Sequence, residues 1–228
     1  MKVSSETINI LKNFSGINSN LVFKPGKELK TISEAKTIMA TASILEDFPV
    51  QFGVYDLNEF LSLYNLMDNP DIDFSEKYLT MSDGSQKIKY YYSEIDILTQ
   101  PSKDINMPSC EVVLDLSATN LDKIRKAAAV LGHSELAFSC NSGESPRDSG
   151  EVVASVFNEK DATANTFDIN LGTTSTETFN YVFSISNLKM LQGDYKLSIS
   201  SKLISNWRNA DNPLDYFIAL EKSSSFGV

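Results

Sequence analysis

Three cations crowd one short amphipathic stretch: Lys123, Arg125 and Lys126 within "TNLDKIRKAAAVLG" (Thr119–Gly132), with Asp122 the one acid against them. Ammonium and guanidinium groups at that density suit one task. They attract a polyanion without reading its sequence. The chain around them is acidic, with a formal net charge of −10 from 20 Lys and Arg against 30 Asp and Glu. Charge is also segregated: the residues from Glu46 to Asp83 hold nine acids and one lysine. A second, weaker basic patch lies near the N-terminus, where Lys2 and Lys12 surround Asn9 and Asn13, with Glu6 as the one acid. Such a surface meets nucleic acid only at a local patch. Three cations on one helix do not hold DNA tightly, although several copies facing one duplex would suffice. On charge alone, a pair of solvated helix faces with scattered lysines accounts for the same pattern.

Other chemistry is sparse. The sequence has no phosphate-binding GxxxxGK[ST] loop, no GxGxxG, no HExxH and no GxSxG. Its single histidine, His133, follows the basic stretch and reads as a solvated post-helix residue, which leaves little for general acid–base work. Ser33-Glu34-Ala35-Lys36 matches SxxK but lacks the KTG or SDN partner that chemistry needs. Glu94 and Asp96 alternate as on the solvent face of a strand. Cys110 and Cys140 are far apart, without a CxxC or a neighbouring histidine, and read as two buried thiols of a reducing cytoplasm. The expectation is a protein with no enzymatic activity, no metal and no cofactor. The start, MKVSSETINILKNF, is too polar for a signal peptide, and no apolar run approaches the ~20 residues of a membrane helix.

The elements that must position the cations follow from periodicity. Helical spacing predicts Ser4–Phe14, Asp56–Met67, Ser117–Leu131 and a shorter Ser184–Leu191. In the third, Leu121, Ile124, Ala128 and Leu131 point inward, which leaves Lys126 nearly opposite, Lys123 on the outer flank and Arg125 at the boundary. Alternation predicts strands at Thr37–Ile44, Phe48–Val54, Lys87–Tyr92, Val152–Phe157, Phe167–Leu171, Phe179–Phe183, Tyr195–Ile199 and Tyr216–Leu220. Turns are marked at Pro25-Gly26, Asp83-Gly84, Ser142-Gly143 and Gln192-Gly193, and Asn206–Pro213 reads as a long hairpin loop carrying the only tryptophan.

The order helix, strands, strand running into a second helix, strands occurs twice. With 228 residues, of which 42% are hydrophobic, there is material for two cores. "QPSKDINMPS" (Gln100–Ser109) has two prolines and no periodicity, as in an extended connector. The reading is α+β, with two similar domains at residues 1–100 and 110–228 joined by a connector at 101–109.

"LKNFSGINS" (Leu11–Ser19), "YDLNEFL" (Tyr55–Leu61), "FNYVFSISNLKM" (Phe179–Met190) and "GDYKLSIS" (Gly193–Ser200) resemble, in order, segments of the DNA polymerase sliding clamps of T-even-type bacteriophages. That resemblance implies two clamp-fold domains, each with antiparallel sheets and two helices, and three subunits closed head-to-tail into a ring. It implies duplex DNA through the ring and a tethered phage DNA polymerase. It further implies an ATP-driven clamp loader, a late-transcription sigma-like factor and coactivator, and the cytoplasm of an infected bacterium. The DNA-facing residues would be Lys2, Lys12, Lys123, Arg125 and Lys126. A partner peptide would dock at Ile105, Met107, Pro108 and Phe226. Subunit seams would use Lys87, Ile88 and Tyr91 on one side, and Phe167, Ile169 and Leu171 on the other. A phage structural or ligand-binding β protein without a DNA role is the alternative.

Overall fold

Ser4 starts the first helix. Its backbone is extended (φ −69°, ψ 156°) and its hydroxyl accepts from the Thr7 N–H, the bond that occupies one orphan donor of a helix N-terminus. The computed structural model describes residues 1–141 and 149–227; the expected Ser142-Gly143 turn lies outside the described residues. The chain forms two units. Met1–Asp104, Lys189–Leu191 and Pro213–Asp215 make the first, and Ile105–Leu188, Gln192–Asn212 and Tyr216–Val228 the second.

In the first unit, α1 (Ser5–Ile17) is followed by β1 (Leu21–Phe23), β2 (Gly26–Ile32), β3 (Ile38–Phe48) and β4 (Phe52–Val54). Then come α2 (Leu57–Tyr64), β5 (Asp71–Phe74), β6 (Tyr78–Ser82) and β7 (Lys87–Tyr91). All the pairings are antiparallel: β1 with β4, β2 with β3, and the meander β5-β6-β7. The helices pack together over an aromatic core in which Phe23 stacks on Phe52 at 4.4 Å and Phe48, Phe60 and Phe74 close around them. The expected strand Phe48–Val54 is two strands, parted at Pro49-Val50-Gln51, because Phe48 completes β3 and Phe52 opens β4. Gly53 is where backbone meets backbone: a Cβ there would lie 2.7 Å from the Ser93 carbonyl oxygen. The Ser33–Lys36 match is a hairpin turn, with the Ser33 hydroxyl accepting from Thr37 and Ile38 and Lys36 at φ 57°. Glu94 and Asp96 flank and enter a 3-10 turn, Ile95–Ile97, rather than a strand.

The second unit runs β8 (Val112–Leu116), α3 (Ala118–Leu131), β9 (Glu135–Cys140), β10 (Gly150–Phe157), β11 (Phe167–Ser175) and β12 (Phe179–Ser184). It continues with β13 (Tyr195–Ser200), β14 (Ile204–Asn209), β15 (Leu214–Ala219) and β16 (Ser225–Phe226). One sheet has the order β11-β10-β9-β12-β16; in the other, β15, β14, β13 and β8 are successive neighbours. The α+β class holds, with three α-helices among the described residues. The expected fourth, Ser184–Leu191, is only a 3-10 turn, Ile185–Asn187. The Ser184 hydroxyl pairs with Ser186 instead of capping, and Leu188 leaves the helical region (φ −82°, ψ 50°), its carbonyl accepting from the distant Arg125. The supposed Asn206–Pro213 loop is also corrected. Asn206–Asn209 completes β14, and Trp207 is fully buried against Phe138, Phe183 and Tyr195, its indole N–H donating to Ser205.

Candidate nucleic-acid interface

Buried Thr7, Ile8, Ile10, Leu11, Phe14 and Ile17 fix one face of α1 in its unit. The opposite face leaves Ser5, Asn9, Lys12 and Gly16 exposed, an i, i+4, i+7, i+11 row. Lys2 precedes the helix and is also exposed. The N-terminal turn is anchored by Glu46 on β3, whose carboxylate accepts from the Ser4 N–H and the Thr7 hydroxyl, each at 2.5 Å. Burial alone would raise the Glu46 carboxyl. The bonds from Thr7 and Ser4 outweigh it and hold the group below its ordinary range. Nothing in the sequence marked Glu46, since its partners lie far away along the chain.

In the second unit, α3 starts at Ser117, whose hydroxyl accepts from the Asn120 N–H, while Asp194 accepts from the Ala118 N–H at 2.7 Å. It ends at Gly132 in the left-handed region, φ 68°, a conformation that glycine adopts without a Cβ clash. Leu121, Ile124 and Ala128 are buried. Thr119, Lys123, Lys126 and Val130 are exposed in a row with the same i, i+4, i+7, i+11 spacing as the row on α1. Lys126 Nζ sits 2.6 Å from Asp122 Oδ2, a pair largely in water. Arg125, grouped with the lysines by sequence, is instead half-buried and turned inward, its Nη2 donating to the Leu188 carbonyl at 2.8 Å. α2 carries no cation and is capped by Asp56, which accepts from the Asn58 and Glu59 N–H groups. It makes a poor phosphate neighbour.

His133 is half-buried, with Nε2 2.7 Å from the Asn165 carbonyl oxygen. Cys140 is buried and Cys110 half-buried, both free thiols. Among the described residues, no group of three His, Cys, Asp or Glu side chains comes together to hold a metal ion. Likewise, no described helix is long and apolar enough to cross a membrane.

Ile105, Met107 and Pro108 are half-buried in the second unit. Phe226 pairs with Phe179 through β16 and lies nearly parallel to the Tyr181 ring at 6.4 Å. Burial pushes Tyr181 up to about 12, with Glu111 and Cys110 adding to the shift, so the end of the 105–111 segment lies within electrostatic reach of that aromatic stack. Asp104, just before that segment, is held in the first unit by Lys30, which also pairs with Glu28.

The two strands expected at seams are both end strands. Among the described residues, β7 pairs only with β6, and β11 only with β10. Lys87, Lys89 and Tyr91 are exposed and alternate with half-buried Ile88 and Tyr90; Phe167, Ile169 and Leu171 are half-buried and alternate with exposed Asp168 and Asn170. A cleft of about 480 Å³ beside β7 is bordered by Gln51, Gly53, Lys77, Tyr91, Glu94 and Asp96, and periodicity gave no sign of it.

Two units of antiparallel sheet, each with a helix that buries an apolar side and exposes a row containing lysine, match the class of DNA sliding clamps. Solved structures bear out the fold. One of them, "A. fulgidus PCNA" with the C-terminal region of FEN-1 bound, superposes with a TM-score of 0.70 at 12% identity, covering 99% of this chain and 100% of that one. The Entamoeba histolytica proliferating cell nuclear antigen gives 0.68 at 12%, covering 94% of each. Residues 4–100 match the family model described as "DNA polymerase processivity factor", and residues 113–222 the one described as "gp45 sliding clamp, C terminal". The sliding clamp of Vibrio phage KVP40 is 34% identical over 97% of this chain and 99% of its own; that of Enterobacteria phage T4 is 28% identical over 99% of each. The chain belongs to the phage sliding clamp family and is a DNA polymerase processivity factor. That membership sets aside the alternative of a structural or ligand-binding β protein.

Proposed function

We propose that three copies close head-to-tail into a ring around duplex DNA, with residues 1–100 and 110–228 as the two domains and 101–109 as their connector. The observation that carries this reading is the matching pair of exposed rows, one on α1 with Lys12 and one on α3 with Lys123 and Lys126, in a chain of net charge −10. Six such helices would face phosphates from several directions with a few mobile ammonium groups each. That supplies attraction without register, as sliding demands. Lys2 adds to the α1 side, and Arg125 positions the 185–188 turn beneath α3. The polymerase would dock by a short apolar or aromatic tail at Ile105, Met107, Pro108 and Phe226. An ATP-driven loader opens the ring, and a late-transcription sigma-like factor and coactivator are further partners. The protein itself catalyses nothing, needs no cofactor and works in the cytoplasm of the infected host. The test pairs sedimentation across dilution with retention on DNA. A trimer held by circular duplex and lost when the circle is cut is the expected result. Equal retention on circular and linear DNA, or a monomer at all concentrations, overturns the reading.

A further inference from the structure

A second concentration of positive charge lies off the helices. "KPGKELK" (Lys24–Lys30) places Lys24, Lys27 and Lys30 together with Glu28 as the one acid, in a chain of net charge −10. It spans the β1–β2 turn and the start of β2, a strand that buries Leu29 and so sets Glu28 and Lys30 on one face. The segment from Thr99 to Asp104 is tied to this strand at both ends. At the first, the buried Asn18 side chain donates its amide to the Ile32 carbonyl at 2.9 Å and to the Thr99 carbonyl at 3.3 Å. At the second, Asp104 Oδ1 lies 2.6 Å from Lys30 Nζ, and Glu28 holds the same ammonium at 2.8 Å. Between the two ties is a cavity of about 160 Å³, bordered by Val22, Lys24, Pro25, Lys30, Gln100 and Pro101. Lys24 is exposed and has no ion pair among the described residues. The Asp104 carboxyl is held below its ordinary range by the bond from Lys30 and by that residue's charge, and Lys24 adds to the shift from within electrostatic reach.

We infer that this cavity receives a carboxylate from an acidic segment of a partner protein, which bridges Lys24 and Lys30 and displaces Asp104, the chain's own stand-in for it. Three features select that occupant. Asp104 is the exchangeable member of its pair: its side chain is 72% exposed against 23% for Lys30, so the carboxylate swings into water while the ammonium stays in place. The charge suits one or two carboxylates and not a duplex, because the three lysines stand against Glu28 and Asp104 and leave a single net positive charge. The remaining walls, Val22, Pro25 and Pro101, are apolar and match the aliphatic stem of a glutamate. Asp104 therefore also sets a threshold. A neutral segment leaves the internal pair closed, and only a segment that brings its own carboxylates gains by opening it.

Fluorescence anisotropy at low salt tests the assignment, with the full chain and two labelled octapeptides, one of alternating Gly and Glu and one of alternating Gly and Gln. Lys24→Ala should weaken the Glu peptide roughly fivefold, and Lys24→Arg should bind it like the parent. Asp104→Asn should tighten the Glu peptide about two- to fivefold by freeing Lys30, and leave the Gln peptide within about twofold. Lys24→Ala should melt like the parent and keep its affinity for a labelled DNA duplex. A parent that binds the two peptides equally overturns the inference, as do Lys24→Ala and Asp104→Asn variants that bind the Glu peptide like the parent. Loss of duplex affinity in step with peptide affinity in Lys24→Ala would give the patch to nucleic acid. Loss of the Glu peptide in Lys123→Ala with Lys126→Ala would move its site to α3. Either result overturns the assignment as well.

Discussion

Lys123→Ala should cost the protein more of its attraction for duplex DNA than Lys126→Ala, although the two lysines lie three residues apart in one exposed row. The difference comes from Asp122. Its carboxylate holds Lys126 Nζ at 2.6 Å, with the two side chains 46% and 74% exposed, whereas no ion pair to Lys123 is present among the described residues. A phosphate gains Lys123 outright but must displace Asp122 to gain Lys126. An exposed pair of this kind is worth ~0.2–1 kcal/mol, so the displacement discounts Lys126 by up to about fivefold per copy. Each engaged lysine also contributes about 0.9 to the slope of log K against log salt, or roughly 3.5-fold in affinity between 50 and 200 mM salt. The expected order of loss is therefore Lys123→Ala above Lys126→Ala. Asp122→Asn should tighten binding about two- to fivefold by releasing Lys126. Fluorescence anisotropy of a labelled duplex, titrated at several potassium chloride concentrations, reads all three. Thermal melting should be unchanged within about 0.5 kcal/mol, because these side chains leave the buried face intact. Equal losses for the two lysines together with no gain for Asp122→Asn would show that phosphates do not lie along this row.

Four further outcomes follow from particular contacts. Tyr91→Pro removes an outward N–H that its own hairpin does not use, so the subunit should fold while the trimer dissociates at higher concentration; persistence of the trimer where the parent falls apart refutes the seam. Ile105→Asp with Met107→Asp should lower affinity for a fluorescent polymerase-tail peptide by at least about tenfold, ~1.4 kcal/mol, with trimer stability retained. Glu46→Gln should destabilise the fold by about 1–2 kcal/mol at pH 7 in urea titrations. Because the folded carboxyl is held below its ordinary 4.5, its contribution is full above that value and lost as pH falls through the folded one, so parent and variant should converge on acidification; a gap that persists at low pH refutes the charge-based account. Trp207→Ala, which empties a fully buried site, should cost about 3–5 kcal/mol by the same titration, and a loss under 1 kcal/mol would contradict the packing.

Local chemistry was legible in the sequence and distant chemistry was not. α1 and α3 could be read because their caps, Ser4 and Ser117, lie beside the periods that they start, and the exposed lysines follow from the wheel alone. β7 and β11 could be placed by alternation, and their charge was visible, but the phase of the β6–β7 ladder needed backbone bonds such as Tyr92 to Lys77. Where sequence reading failed, a partner far along the chain had overridden the local pattern. Ser184–Leu191 has helical spacing, yet the turn ends at Leu188, which leaves the helical region and whose carbonyl accepts from Arg125, far away in sequence. Asn206–Pro213 has the composition of a loop, yet Trp207 finds Phe138, Phe183 and Tyr195 from three other strands.

The same division between near and far explains why the basic rows are so thin. The residues that share the rows with the lysines are Ser5, Asn9, Gly16, Thr119 and Val130, none of them charged. Of the cations that sequence assigned to α3, one is spent holding the fold and another is shared with Asp122. What remains on each helix is one or two ammonium groups whose contacts exchange within the reach of a flexible side chain. Grip strong enough to register on DNA would have needed Arg125 turned outward and Asp122 removed. With both retained, the rows alone make a weak hold, and the ring proposed above would supply the attachment that they lack.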